Sequence, residues 1–418
     1  MKKLLKLIFI AVIAGVTYKY LTDRDIKVVD IFIKAKEWII SAVEEVEKVE
    51  KVEEVEEVEK VEGNSGSGIP DFNVRYENNE KSAGSYSSAA DASEAVEYPV
   101  SPKYFPGTGQ FADLDKYAME TPSEAESSMG ELVGWLTRPA SDELEKARLI
   151  FTWIATHVSY DDNGYNTGNY SDTTPEGVFR KRVSVCQGYS QLFTELCRIA
   201  GIDALTISGY AKGISCRPGS RFGDTNHAWN VARIDGLWML FDVTWAYGHG
   251  RGVNGRLVTV SEFNDYWFNV NPNEFIFSHL PEDDSWQLNT PKISKYQFEN
   301  MPYVSSVWFR MGFNGSDCLP AVLDGTIDVL PEAYGTDCDI KVISMPYNGR
   351  IPAGQTIKLR VKAEEGVRPA YENGGHIADM TPEGDEYTAM VRTVPGDFKL
   401  MITYGGGSYE TALAYVVQ

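Results

Sequence analysis

The sequence is poor in the residues from which several kinds of protein site are built. Its 418 residues include five cysteines and five histidines, with no His-Glu-x-x-His pattern and no paired Cys-x-x-Cys pattern. So few cysteines in a chain of this length do not form a disulfide scaffold, although Cys318 and Cys338 are close enough in sequence for a pairing to stay open. The missing ligand patterns argue against a zinc site. We therefore predict neither a metal nor a cofactor.

Positive charge is also scarce. The chain has 39 Lys and Arg against 60 Asp and Glu, a formal net charge of -21. Part of this excess is local, because residues 43–62 contain ten Glu and three Lys. A strongly acidic chain repels the phosphate backbone, so we exclude nucleic acid as a partner. The 43% apolar content is ordinary for globular structure and allows two or three domains at this length.

The N-terminus lacks an apolar run of the about 20 residues that a membrane span needs. A basic start is followed by a shorter apolar run, residues 7–18, which is typical of a secretory signal region. Residues 4–21, with lysines reaching the interface, predict an uncleaved anchor as the alternative. We predict that residues 1–42 form a signal or membrane anchor with an amphipathic helix. The globular part is then membrane-tethered outside the cytoplasm, or secreted.

Residues 43–118 are predicted to form a low-complexity stalk. A charged repeat with valine at every third position is followed by a Gly/Ser linker at residues 63–68 and an irregular, Ser- and Ala-rich segment. A three-residue period drifts around an α-helix and keeps no single buried face. A heptad-like stripe over residues 28–49 leaves self-association through the stalk open.

The candidate site starts from a predicted hairpin. Two apolar runs, 227–234 and 237–244, are joined by an Asp-Gly pair, a strong signal for a two-residue turn. In that register His227 and Asp242 share one face as diagonal neighbours, with Cα atoms roughly 7–8 Å apart. This spacing predicts a hydrogen bond between the carboxylate and the imidazole.

A cysteine lies at the predicted start of a helix. Cys186 precedes apolar residues at helical spacing, and the run stops at Gly201. The unpaired N–H groups and positive dipole of a helix N-terminus favour a thiolate. With His227 and Asp242, Cys186 supplies the residue types of a cysteine nucleophile, its base and the carboxylate that orients the base. Each of the three alone is more often structural, and their conjunction points to catalysis.

Several segments resemble the transglutaminase-like superfamily, and two of them resemble its kyphoscoliosis-peptidase branch. The central segments are 185–189, 226–231 and 238–245, with 146–154 and 158–161 upstream and the branch-like segments 275–283 and 286–288 downstream. The resemblance covers roughly residues 120–290. It implies an α+β fold with a papain-like core and a Cys-His-Asp triad at Cys186, His227 and Asp242.

The resemblance also implies a thiol enzyme that acts on a protein or peptide substrate. Such an enzyme cleaves peptide or isopeptide amides, or transfers the acyl group to an amine, through an acyl-enzyme. Animal transglutaminases read Gly-Gln-Cys-Trp at the nucleophile, whereas this chain reads Ser-Val-Cys-Gln, so calcium-dependent cross-linking is not expected. Some members have lost activity, and a catalytically inactive scaffold or binding protein is the alternative. The three filled positions favour an enzyme.

Three residues near these segments are candidates for substrate binding: Tyr160, Gln187 and Trp229. The backbone N–H of Cys186 is the expected first donor to the oxyanion that forms during acyl transfer. The second donor is left open among Tyr160, Gln187 and Trp153.

From about residue 300 the chain consists of short β-rich runs separated by Pro, Gly and Asp clusters. The predicted strands are 307–311, 327–330, 340–344, 356–361, 386–392, 398–404 and 410–417. Seven short strands over this length predict an immunoglobulin-like β-sandwich. The predicted domains are therefore a transglutaminase-like domain at residues 119–299 and an all-β sandwich at residues 300–418.

Overall fold

The structure is a computed structural model that describes residues 96–97, 109–335, 340–405 and 407–418. The predicted anchor and nearly all of the predicted stalk lie outside the described residues and stay predictions. Cys338 lies outside them as well, so its pairing with Cys318 stays open. Every helix in the described part of the chain is too short or too polar to cross a membrane.

The α-helices of the described residues are short except for two. They are α1 (Ala112–Met119), α2 (Met129–Leu136), α3 (Glu143–His157), α4 (Asp162–Thr167), α5 (Pro175–Lys181), α6 (Cys186–Ile199), α7 (Val243–Tyr247), α8 (Pro272–Phe275), α9 (Lys295–Asn300), α10 (Ser306–Arg310) and α11 (Gly315–Leu323). Short 3-10 helices cover Ser123–Glu126, Asp265–Trp267 and Asp284–Trp286.

The strands fall into two groups along the chain. The first group is β1 (Val96–Glu97), β2 (Ser159–Tyr160), β3 (Val183–Ser184), β4 (Asp203–Ala211), β5 (His227–Ile234), β6 (Leu237–Phe241), β7 (Gly248–Val253), β8 (Arg256–Ser261), β9 (Phe268–Val270) and β10 (His279–Pro281). The second group is β11 (Glu332–Ala333), β12 (Ile340–Ser344), β13 (Arg350–Ile351), β14 (Thr356–Ala363), β15 (Arg368–Asn373), β16 (His376–Asp379), β17 (Thr381–Glu383), β18 (Glu386–Arg392), β19 (Gly396–Thr403) and β20 (Glu410–Val417).

A five-stranded antiparallel sheet supports the candidate site. Its strand order is β10-β4-β5-β6-β9, and α6 packs against β4 and β5. The first hydrophobic cluster lies around this sheet and takes its buried residues from Phe111 to Phe275. The α3 helix is buried over most of its length within this cluster. A cysteine-bearing helix on a histidine-bearing antiparallel sheet is the papain-like arrangement that the sequence predicted.

The hairpin that carries the histidine has the predicted register. Asn230 pairs with Phe241, and the strands close at an Asp235-Gly236 turn. Both turn residues have positive φ, 49° for Asp235 and 83° for Gly236, as a type I′ turn requires. Because the turn fixes the pairing, it also fixes which side chains share a face.

The second strand of this hairpin ends earlier than predicted. It was expected to run to residue 244, but β6 ends at Phe241 and α7 follows directly. Asp242 is the reason, since its Oδ1 accepts a hydrogen bond from the backbone N–H of Trp245 and caps the helix. The cap holds the carboxylate at the junction of strand and helix.

The C-terminal part contains two sheets that share one core. One sheet has the order β1-β14-β18-β17 with β12 also paired to β14. The other has the order β11-β20-β19-β15-β16 with β13 paired to β20. Both contribute buried side chains to a second hydrophobic cluster that runs from Ile276 to Val417. The immunoglobulin-like topology and the domain boundary at residue 300 stay predictions.

The start of this part is helical, which corrects two predicted strands. Residues 307–311 were expected to be extended, but they lie largely in α10, where the Ser305 side chain accepts from the N–H of Val307. Residues 327–330 form no strand. A short apolar run does not distinguish a strand from a buried helix by its periodicity. Here the cap and the burial of Trp308 and Phe309 on one side favour the helix.

Candidate active site

The Cys186 thiol lies at the first residue of α6. Val185 is the N-cap residue and makes no side-chain cap, so no side chain of the cap occupies the first N–H groups of the helix. Gly188 allows this turn to pack closely against Ser184 and Val178, because a Cβ there would overlap Ser184 Oγ and lie 2.8 Å from a methyl of Val178. The local sequence therefore needs glycine two positions after the cysteine.

The imidazole of His227 connects the thiol to a buried carboxylate. Its Nε2 is 2.7 Å from Asp242 Oδ2, and the thiol of Cys186 is hydrogen-bonded to the same imidazole. Because Nε2 faces Asp242, the nitrogen that faces the thiol is Nδ1. The backbone N–H of Ala228 also donates to the sulfur. The structure thus brings together the three residues that the sequence singled out as a triad.

The electrostatics of the three groups favour a charged pair. Burial alone raises the pKa of the Cys186 thiol, but the bond to His227, its charge and the Ala228 N–H outweigh burial and lower that pKa. Burial lowers the pKa of His227, yet the charge and hydrogen bond of Asp242, helped by Cys186, raise it to about 10. The pKa of Asp242 lies well below its ordinary value, because the two imidazoles offset its complete burial. A thiolate–imidazolium pair is therefore favoured at neutral pH.

A second histidine belongs to this cluster and was not predicted. His279 Nε2 lies 3.0 Å from the same Asp242 Oδ2, and His279 is completely buried. The residue follows an apolar run, 275–278, and comes 37 residues after Asp242 in sequence. The sequence indicated this site residue only weakly, as a single histidine at the end of that run. Nothing local indicated which carboxylate it would meet.

The ligand atoms of His227, Asp242 and His279 lie within 4.8 Å of one another, a spacing that a metal ion uses in other proteins. Here both histidines direct Nε2 at one carboxylate oxygen with ordinary hydrogen-bond lengths, 2.7 and 3.0 Å. Since hydrogen bonding accounts for all three groups, we assign no metal to this cluster.

The predicted substrate-binding residues have different positions. Tyr160 and Gln187 are half-buried, and Tyr160 lies near the thiol, whose charge adds to burial in raising the pKa of the phenol. Trp229 is 1% exposed, with its ring against Phe275 and His279, so it belongs to the core beneath the site and corrects the expectation of a substrate contact.

The structure excludes Trp153 as the second oxyanion donor. It is completely buried, and its indole N–H donates to Glu126 Oε1 at 3.0 Å. Its donor is therefore already used. Of the three side chains considered for the second donor, Tyr160 and Gln187 remain.

A cleft of about 560 Å³ lies near the site, although none of Cys186, His227 and Asp242 lines it. Trp245 forms part of its wall, and the Trp245 ring centroid is 5.5 Å from that of His227. Opposite walls come from the β7–β8 region and from α10 with the preceding Tyr303, so residues of both hydrophobic clusters contribute. The C-terminal part of the chain thus supplies one side of the cleft.

Comparison with known proteins agrees with this geometry. Residues 131–243 match the family model of the transglutaminase-like superfamily. Kyphoscoliosis peptidase of Mus musculus is 34% identical over 311 residues, which are 74% of this chain and 43% of that protein. The Homo sapiens protein of the same name is 35% identical over 204 residues, 49% of this chain and 30% of that protein. Hillarin of Drosophila melanogaster is 31% identical over 224 residues, 50% and 26% of the two chains.

The match to the family model shows that residues 131–243, which include Cys186, His227 and Asp242, are a transglutaminase-like domain. The chain is similar to the kyphoscoliosis peptidases, at 34–35% identity over the matched residues. The resemblance found in the sequence is confirmed at both levels. The chain spans less than half the length of each of the three relatives it matches.

Proposed function

We propose that this protein is a thiol enzyme that opens peptide or isopeptide amides through an acyl-enzyme on Cys186. The observation that carries the proposal is the buried relay from thiol to imidazole to carboxylate, with Nε2 of His227 2.7 Å from Asp242. It is supported by the opposite pKa shifts of Cys186 and His227, which favour the reactive ion pair. A protein or peptide is the substrate class.

The groups act in a fixed order in this proposal. The Cys186 sulfur attacks the amide carbon, a C–S bond forms, and the carbonyl electron pair moves onto oxygen. His227 then gives its Nδ1 proton to the amide nitrogen as the C–N bond breaks, leaving a thioester and a free amine. Asp242 keeps the imidazole in position throughout. In the second half, water or an amine attacks the thioester carbon and loses its proton to His227 Nδ1. The carbonyl then re-forms as the C–S bond breaks, which releases the acid or the new amide and returns Cys186 to the thiolate beside the imidazolium.

The oxyanion receives the Cys186 backbone N–H and, we propose, the phenol of Tyr160. Burial and the nearby thiolate raise the pKa of the phenol, so it stays protonated and remains a donor near neutral pH. Strand β2 pairs with β3, and Tyr160 lies opposite Ser184. Because Ser184 comes two residues before Cys186, this pairing holds Tyr160 close to the thiol. Neutral donors aimed at a developing oxyanion are among the strongest contributions to acyl transfer.

Tyr160→Phe tests this assignment. Removing the hydroxyl should lower kcat by about 100-fold with little change in KM, because the lost hydrogen bond forms mainly in the transition state. Tyr165→Phe is the matched control, since Tyr165 is an exposed neighbour on the same aromatic cluster. Equal activity of the Tyr160→Phe variant and the wild type would remove Tyr160 from the oxyanion site.

The reaction class is tested by product analysis. The full chain is incubated with peptide libraries, in which both internal amides and Lys-linked isopeptides are represented, with and without an added primary amine. New termini alone identify hydrolysis, and amine incorporation identifies acyl transfer. The open cleft lined by Trp245 admits water close to the site, so we expect hydrolysis to dominate. If the wild type forms neither product although Cys186 is reactive, the proposed reaction on amides fails and only the assignment of Cys186 as a nucleophile stands.

The second candidate is a binding protein that keeps this fold without turnover. The cleft formed by both clusters is the observation that favours it, because such a surface holds a peptide whether or not the thiol reacts. The two candidates differ in one property. A scaffold binds peptide equally well after Cys186 is replaced and has a thiol of ordinary reactivity.

A further inference from the structure

Asp242 is held by three donors that come from three different elements. Its Oδ1 accepts from the N–H of Trp245 at 2.9 Å, while Oδ2 accepts from His227 at 2.7 Å and from His279 at 3.0 Å. The carboxylate is completely buried. A triad of this kind needs only the contact with the base. The contact with His279 on strand β10 is therefore unexplained by the reaction as proposed above.

The surroundings of His279 keep its imidazole neutral. Phe275 stacks on the ring with centroids 4.0 Å apart, and the rings of Trp229, Trp245 and Trp267 surround it. Asp242 and His227 are the titratable groups that face it from the packed elements. Burial lowers the pKa of His279 to about 4, against the opposing influence of the Asp242 hydrogen bond and charge.

The hydrogen bonds also fix where the single proton of this neutral ring lies. A carboxylate accepts hydrogen bonds and does not donate them, so the proton is on Nε2. The other nitrogen, Nδ1, then accepts from the hydroxyl of Ser278 at 2.8 Å. His279 thus presents Asp242 with a hydrogen-bond donor that carries no charge and does not titrate near neutral pH.

The pKa values of the two imidazoles that contact Asp242 are shifted in opposite directions. The pKa of His227 is raised to about 10 and that of His279 is lowered to about 4, although both are buried against the same oxygen. Asp242 and the bond to the Cys186 thiol raise the pKa of His227, whereas the positive charge of His227 adds to burial in lowering the pKa of His279, whose second nitrogen faces a serine hydroxyl. The positive charge is therefore directed to the ring beside the nucleophile.

We propose that His279 is a positioning residue, which as a neutral donor holds Asp242 Oδ2 toward His227. This inference rests on the function proposed for Cys186, His227 and Asp242. It adds a fourth member to the relay, set in place by the pairing of β10 with β4, where His279 lies opposite Ala211. Ser278 belongs to the same cluster because its hydroxyl, 2.8 Å from Nδ1, occupies the second ring nitrogen once Asp242 has placed the proton on Nε2.

The sign of the pH effect follows from the donors. The hydrogen bond from His279 lowers the pKa of Asp242, so its loss raises that pKa and protonates the carboxylate at a higher pH. Over the pH range of the test the carboxylate nevertheless stays ionised, because its pKa lies well below the ordinary value. The larger consequence is that Oδ2 is no longer held toward His227, so the imidazolium is less stabilised and the pKa of the Cys186 thiol rises toward its ordinary value. Removing His279 should therefore move the acid limb of Cys186 reactivity upward by about one pH unit.

The test uses the full chain and compares His279→Leu, which has no donor, with His279→Gln, whose amide donates without titrating. The rate of Cys186 alkylation by iodoacetamide is measured from pH 4 to 9, with circular dichroism and thermal unfolding as folding checks. We expect His279→Leu to lose about 10- to 100-fold at pH 6 and to shift its acid limb upward. His279→Gln should restore most of the rate and the wild-type limb.

His157→Leu is the matched control. Like His279, His157 is stacked on an aromatic ring, Trp153, with ring centroids 5.2 Å apart, but it is only partly buried and lies outside the site. It should lose stability without a change in the acid limb. If folded His279→Leu keeps the wild-type rate and limb, His279 serves packing alone and the proposal fails.

A second readout separates this proposal from the proposed function. In ¹⁵N-histidine spectra of the wild type, we expect one imidazole to stay neutral with its proton on Nε2 down to about pH 5, and this signal to vanish in His279→Leu. A His279 signal that titrates near its ordinary pKa would overturn the positioning role. If the neutral signal is present but wild-type Cys186 reacts like an ordinary thiol, the proposed function fails while the Asp242–His279 contact stands.

Discussion

Replacing Cys186 with alanine is expected to abolish turnover, with kcat falling by at least about 10⁴-fold. Every bond-making step in the proposed reaction passes through this sulfur, and His227 cannot activate water in its place without the thioester. The change removes only the sulfur atom from a half-buried side chain at the first residue of α6, so the fold should persist. Peptide turnover and thermal unfolding of the full chain check both statements.

Cys216→Ala is the control for this prediction. Cys216 is also partly exposed and lies in the turn after β4, close to the cleft rim formed by Gly213 and Ile214. It should keep wild-type turnover. If Cys186→Ala retains more than a tenth of the activity, the acyl-enzyme route through this residue is wrong.

Asp242→Asn is expected to lower kcat by about 10³- to 10⁴-fold while changing KM little. An asparagine carries a donor where the carboxylate has only acceptors. When its amide N–H₂ faces His227, Nε2 has to accept, and the ring proton moves to Nδ1, where it blocks uptake of the thiol proton. The imidazolium also loses the charge that raises the pKa of His227 to about 10.

Two comparisons isolate the role of this charge. Asp242→Ala should additionally lower the free energy of unfolding by several kcal/mol, because His227, His279 and the Trp245 N–H lose their buried acceptor. Asp265→Asn, a change at a half-buried aspartate on the cleft wall, should leave kcat within a few fold. Wild-type kcat in folded Asp242→Asn would contradict the assigned role of the carboxylate.

Parts of the site were accessible from sequence because short-range rules determine them. The Asp235-Gly236 pair fixes the hairpin register, and that register brings His227 to Asp242. The apolar spacing after Cys186 correctly predicted α6 from its first residue. The end of β6 was predicted wrongly because an aspartate after an apolar strand also caps a helix, and capping ended the strand at Phe241.

Other parts depend on contacts that sequence spacing does not encode. His279 reaches Asp242 because β10 joins the far edge of the sheet beside β4, a long-range pairing with no local signal. Trp229 follows the histidine on the same strand, but its side chain turns to Phe275 in the core, and strand alternation alone does not tell a substrate wall from a core wall. Residues 307–311 show the same ambiguity between helix and strand.

The central claim is that Cys186 is a nucleophile activated by His227, and one measurement tests it most directly. The rate of iodoacetamide modification of Cys186 is followed by mass spectrometry from pH 5 to 9 in the wild type and in His227→Ala, with Cys216 in the same chain as the internal reference. The account predicts fast modification of Cys186 well below the ordinary thiol pKa of about 8.5, and loss of this reactivity in His227→Ala. Modification of Cys186 that rises only near pH 8.5, in parallel with Cys216 and unchanged in His227→Ala, would contradict it.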